Sequence, residues 1–171
     1  MKKWLIAGLG LSLALVGCSN ADEDKKESTN KSEEKADAKG DLMDYYLNLT
    51  TTVNGVDGDL NAYEGAIAGE EPPKGDELKT LQDAAAASAS ETATAVEGMD
   101  IPKELEDQKA DLEKFQSTLA ESYKMKSEEL AKDDANTEEA DKKFTEAESQ
   151  ISKILEDEGL SSPSLATDLN G

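Results

Sequence analysis

Apolar side chains at Leu42, Tyr46, Leu49, Val53, Val56, Leu60, Tyr63 and Ile67 recur in unbroken steps of four and three. That spacing lines one face of a helix and forms a heptad seam. It runs straight through TTVNGVDGDLNAYEG, residues 51–65, whose Asn-Gly and Asp-Gly pairs would otherwise suggest a β-hairpin. A hairpin needs alternation by two on both sides of its turn, and none is present. Gly55, Gly58 and Gly65 fall off the seam, on the outer face. Each costs about 1 kcal/mol relative to alanine, yet none removes a core side chain. The spacing predicts one helix over 41–68, capped by Asp41 after Gly40 and weakest near Asn54-Gly55.

Three more helical patterns follow. GEEPPKG, residues 69–75, stops the first, because Pro72-Pro73 cannot continue a helix. Asp76 then opens a helix over about 77–97, with the small-residue seam Leu78, Leu81, Ala85, Ser88, Thr92 and Ala95. Gly98 ends it, and Pro102 in a first turn begins the next, to about residue 132, carrying Leu105, Leu112, Phe115, Leu119, Tyr123 and Leu130. Asn136 with Glu139 forms a capping-box pattern for the last helix. That helix carries Ala140, Phe144, Ala147, Ile151 and Ile154, with Glu138–Lys142 and Glu139–Lys143 as i,i+4 pairs. Gly159 followed by Pro163 marks its end.

Four amphipathic helices with short connections predict an all-α fold, a four-helix up-down bundle over residues 41–160. Residues 161–171 read as a flexible tail, with Leu160 free to fold back on the bundle. Pairing of the seams between two chains, as a dimeric coiled coil, is the alternative. The sharp turns at 69–75 and 98–102 argue against one long rod.

Before the bundle, residues 19–40 contain no aromatic and no aliphatic residue larger than alanine. Such a stretch cannot bury enough apolar area to order itself, so 18–40 reads as a disordered polar tether with a reach of about 25 Å. Upstream, Lys2 and Lys3 precede an uncharged apolar run from Trp4 to Gly17. That run falls short of the roughly 20 residues that span a bilayer, so 1–17 reads as a cleaved signal peptide. Leu15-Val16-Gly17-Cys18 resembles the lipobox of bacterial lipoproteins. The resemblance implies diacylglycerylation of the Cys18 thiol and cleavage just before it, leaving a lipid anchor on the extracytoplasmic face of the cell membrane. Acyl chains contribute about 0.8 kcal/mol per buried methylene, so two or three make attachment effectively permanent. Lipidated Cys18, a polar tether and a helical domain together resemble the small acidic helical lipoproteins of Gram-positive bacteria. That wider likeness carries no catalytic or ligand-binding residue across.

Removing 17 residues leaves 154, with 16 lysines against 39 acids, a formal charge of −23. This charge repels nucleic acid and anionic headgroups and favours a basic partner. The chain has no histidine and no arginine, hence no imidazole base or zinc ligand and no guanidinium clamp for phosphate. Neither an enzyme nor a cofactor is expected. A calcium loop starting at Asp57 fails, since positions 6 and 12 are Ala62 and Ala68 instead of Gly and Glu. No metal site is expected.

Two functions fit. The first is an interaction or structural module facing an envelope protein or wall component, with Tyr45 and Met125 as candidate exposed contacts. The second is a small-ligand carrier with an apolar pocket beside Ala85, Ser88 and Thr92, lined by Phe115 and Phe144.

Overall fold

Glycine, proline and one intruding serine set where the helices end. A computed structural model describes the backbone of residues 23–162 and 164–169, and side chains from residue 38. The signal peptide and the lipobox Leu15–Cys18 lie outside the described residues. The chain divides into two units, 1–34 and 35–171. In the first, Glu23–Glu34 is helical. All side-chain contacts below belong to the second.

The described residues form helices joined by turns and loops, with no strand among them. The helices are α1 (Glu23–Asn54), α2 (Gly58–Ala68), α3 (Asp76–Glu97), α4 (Lys109–Leu130), α5 (Glu138–Asp157) and α6 (Leu165–Leu169), with a 3₁₀ turn at Lys103–Leu105. No helix among them is long and apolar enough to cross a membrane. Among the described residues helical backbone begins at Glu23 rather than Asp41, and it covers most of the stretch expected to be a disordered tether. Lysine, glutamate and alanine are good helix formers, and Glu27 and Lys31 form a favourable i,i+4 pair in the sequence.

The single helix expected over 41–68 is two. In a continuous helix the Leu60 amide would donate to the Val56 carbonyl. Instead the Ser88 hydroxyl stands between them, donating to Val56 O at 2.7 Å and accepting from Leu60 N at 3.4 Å. A side chain inserted into the ladder breaks a helix. Asn54-Gly55 is where this chain yields most cheaply, and Gly55 and Gly58 face solvent as expected. The break also advances the register. Asp57, 2% exposed, takes the inward position, while Val56 is half-buried and Ile67, the last seam residue, is 42% exposed.

The second helix, α3, matches its expected span within one residue. Its buried stripe is wider than the seam, adding Gln82, Ala89, Ala93 and Val96. Gln82 donates through Nε2 to the carbonyls of Leu130 at 2.8 Å and Lys132 at 2.5 Å. It thereby satisfies acceptors that the end of α4 leaves open. The third helix starts at Lys109 rather than 102, because Pro102 opens a 3₁₀ turn whose Leu105 is wholly buried.

Asn136 Oδ1 accepts from Glu138 N at 3.0 Å at the start of α5. Lys142 pairs with Glu139, and Lys143 with Glu121 and Glu146, in place of the expected i,i+4 pairs. At the far end Gly159 sits at φ +70°. Its amide bonds Glu156 O and the Leu160 amide bonds Leu155 O, a Schellman cap.

Hydrogen bonds fix the pairing of neighbours. Gln82 near the start of α3 meets the end of α4, and Gln116 of α4 donates to Met99 O just past α3, so this pair is antiparallel. Tyr123 against Phe144, and Gln108 donating to Glu158 at 2.8 Å, set α4 and α5 antiparallel too.

The tail expected to be flexible contributes to the core. Leu165 and Leu169 of α6 are 0% and 1% exposed. Two leucines spaced by four form an apolar face even in one turn, and the burial of that face holds the segment.

Candidate functional site

Lys126 occupies a seam position of α4, three residues after Tyr123 and four before Leu130. A lysine there must bury its charge or find partners. It finds two. Its Nζ lies 2.5 Å from Glu64 Oε1 on α2 and 3.2 Å from Asp141 Oδ1 on α5. Lys126 is 8% exposed. Burial opposes its charge, but the two carboxylates outweigh that and raise its pKa above the ordinary lysine value.

Asp57 belongs to the same region. Desolvation raises its carboxyl pKa above the usual value, a hydrogen bond with the Asn61 side chain works the other way, and the Glu64 charge raises it further. Burial, together with the charges of Asp57 and Glu64, pushes the Tyr123 phenol up as well. Tyr123 meets Phe144 edge to face, ring centres 6.3 Å apart at 87°. Between these groups lies a cleft of about 180 Å³, walled by Leu60, Glu64, Tyr123, Lys126 and Phe144 and closed on one side by Leu169 of α6.

Asp57 gives this region a signed pH dependence. Its raised folded-state pKa means that ionisation weakens the fold above that pKa, and the penalty fades as pH falls towards the unfolded value. Asp57→Asn is therefore expected to raise the urea midpoint at pH 7. The gain should shrink as pH falls through the window between the raised pKa and the ordinary aspartate value. An equal gain at pH 7 and pH 3 would show that the carboxyl charge is not the cause.

A second concavity lies at the corner between α2 and α3. It is an open groove of about 710 Å³ lined by Ala66, Glu70, Glu71, Pro72, Pro73, Lys74, Glu77 and Leu81.

Neither of these concavities borders Ala85, Ser88 or Thr92, where a pocket was expected. Ala85 and Thr92 are 0% exposed, the Ser88 hydroxyl is engaged at the helix break, and Thr92 donates to Ser88 O at 2.9 Å. Phe115 is wholly buried, and only Phe144 of the expected lining borders the cleft. Tyr45, expected to be partly exposed, is 2% exposed, whereas Met125 is partly exposed as expected. Sequence reasoning missed Asp57, Glu64, Lys126 and Asp141 as a group. A lysine at a heptad seam position was the available signal for Lys126; Asp57 had none, because its inward place depends on the helix break.

Among the described residues, no group of three or more His, Cys, Asp or Glu side chains is placed to hold a metal ion. No protein-family model, curated protein or solved structure matches the chain.

Proposed function

We propose that the chain is a lipoprotein anchored through Cys18 on the extracytoplasmic face of the membrane, and that its helical domain is a protein-interaction or structural module of the cell envelope. The role is binding, not catalysis. The observation that carries this reading is the α2–α3 corner. There Glu70, Glu71 and Glu77 surround Pro72, Pro73 and Leu81, and Ile67 is exposed next to Ala66 on the rim. Paired prolines hold the groove in shape and limit the ordering cost of binding. Its carboxylates, in the field of a chain of charge −21, draw in a basic surface, and the apolar rim supplies contact area. The partner is a basic face of an envelope protein or a cationic wall component, and not nucleic acid. Within this proposal the domain is a four-helix up-down bundle in which α1 and α2 together serve as the first helix. The antiparallel neighbours α3–α4 and α4–α5 support that arrangement.

Crosslinking in native cells followed by detergent extraction tests the proposal. A single partner should be captured near stoichiometry. Reversing the corner with Glu70→Lys, Glu71→Lys and Glu77→Lys should reduce capture at least about tenfold while helicity stays unchanged, as expected when a steering and recognition patch is inverted. Undiminished capture would remove the corner from the account. The second reading, a small-ligand carrier, is favoured by the cleft beside Lys126. It predicts a co-purifying small molecule that is lost on Phe144→Ala.

A further inference from the structure

The contacts of α6 resemble those of a docked peptide. Leu165 and Leu169 are buried, four residues apart. The Asp168 carboxylate accepts from the Tyr46 hydroxyl at 2.7 Å. The last carbonyls of the helix, which have no partner within it, are met by side-chain amides. Asn54 Nδ2 donates to Asp168 O at 2.9 Å and Asn61 Nδ2 donates to Leu169 O at 3.1 Å. Asn54 closes α1 and Asn61 lies in the first turn of α2, so the two amides straddle the helix break. On α5, Glu148 accepts from Ser164 Oγ at 3.2 Å and from Ala166 N at 3.3 Å.

Two features of the receiving surface are set by contacts that do not involve α6. Ser88 holds the break from the inner side. The Schellman cap at Gly159 completes α5 before α6 begins. By contrast, α6 is five residues long, far below the length at which a helix holds itself in water. It is linked to α5 by a serine-rich stretch, of which Ser161, Ser162 and Ser164 are exposed. Leu169 also forms one wall of the Lys126 cleft, so release of α6 opens that cleft.

We propose that α6 is an intramolecular ligand that occupies, and so blocks, a docking groove for a short helical segment of a partner protein. This deepens the interaction-module reading and rests on it. The partner segment presents two branched apolar side chains four residues apart, a carboxylate placed for Tyr46, and free helix-end carbonyls for Asn54 and Asn61. The remainder of that partner is basic, matching the acidic chain.

The test uses the full-length chain with Leu165→Ser and Leu169→Ser, and as probe a fluorescent synthetic peptide of residues 160–171. The variant is expected to keep one cooperative urea transition and to bind the peptide. The unsubstituted chain should bind at least about tenfold more weakly, since its tethered α6 competes at millimolar effective concentration. Adding Tyr46→Phe to the variant should weaken binding several-fold. Loss of the cooperative transition would show that the fold does not stand without α6 and overturn the proposal, as would a folded variant that ignores the peptide. A concentration-dependent dimer of the unsubstituted chain would assign the groove to a second copy's α6 and overturn it equally. The assay needs neither cells nor lipid, so its failure leaves the corner reading to be judged by charge reversal alone.

Discussion

Cys18→Ser, carried behind a conventionally cleaved secretory leader in place of residues 1–17, is expected to move the protein from the membrane fraction to the soluble fraction almost completely. The reason is additive burial of acyl chains. One chain gives reversible binding, whereas two or three, at about 0.8 kcal/mol per methylene, give retention that washing does not reverse. Nothing among the described residues replaces that attachment. No described helix is long and apolar enough to span the bilayer, and a chain carrying 39 acids against 18 lysines is repelled by anionic headgroups. Fractionation with and without high salt, together with intact mass of the membrane-bound form, reads the result. Retention of Cys18→Ser in the membrane fraction would overturn lipid anchoring as the means of attachment. Retention that disappears in high salt would point to an electrostatic tie instead.

Phe115→Ala is expected to cost about 3–5 kcal/mol of stability, the range for truncating a wholly buried phenylalanine. Phe115 heads the fully buried side chains by volume. The surroundings argue for the upper part of the range. α3, which packs against α4, supplies mainly Ala85, Ser88, Ala89, Thr92 and Ala93 to the core, and none of these side chains can reach into a vacated ring site. Ser88 is further held by its bonds at the helix break. The void therefore persists, and lost contacts add to the transfer cost. With the urea dependence unchanged, the midpoint should fall by about 2 M. Phe115→Leu should cost less than half as much. Equal effects of the two substitutions would mean that the site collapses, and that the packing across α3 and α4 is softer than its burial indicates.

The helix boundaries that were legible have local causes. Pro72-Pro73 ends α2, Asp76 opens α3, Asn136 bonds the start of α5, and Gly159 closes it. Each acts within about one turn, and a reader of the sequence sees every residue involved. Even the weak point at Asn54-Gly55 was visible as a weakness.

What the sequence left open depends on partners far along the chain. The break between α1 and α2 requires Ser88, 32 residues after the Val56 carbonyl that it engages. The turn of Asp57 inward is a consequence of that break. Lys126 is held by Glu64, 62 residues away, and α6 is fastened to Tyr46 across 122 residues. A two-leucine helix has too little local propensity to announce itself, so its order comes from the groove that receives it. The sequence by itself determined the helical class, the charge and the lipobox pattern, because periodicity, composition and short motifs are local properties. Only the tertiary structure decided which polar side chains turn inward and what the C-terminal segment covers, because those choices are made by burial against distant residues.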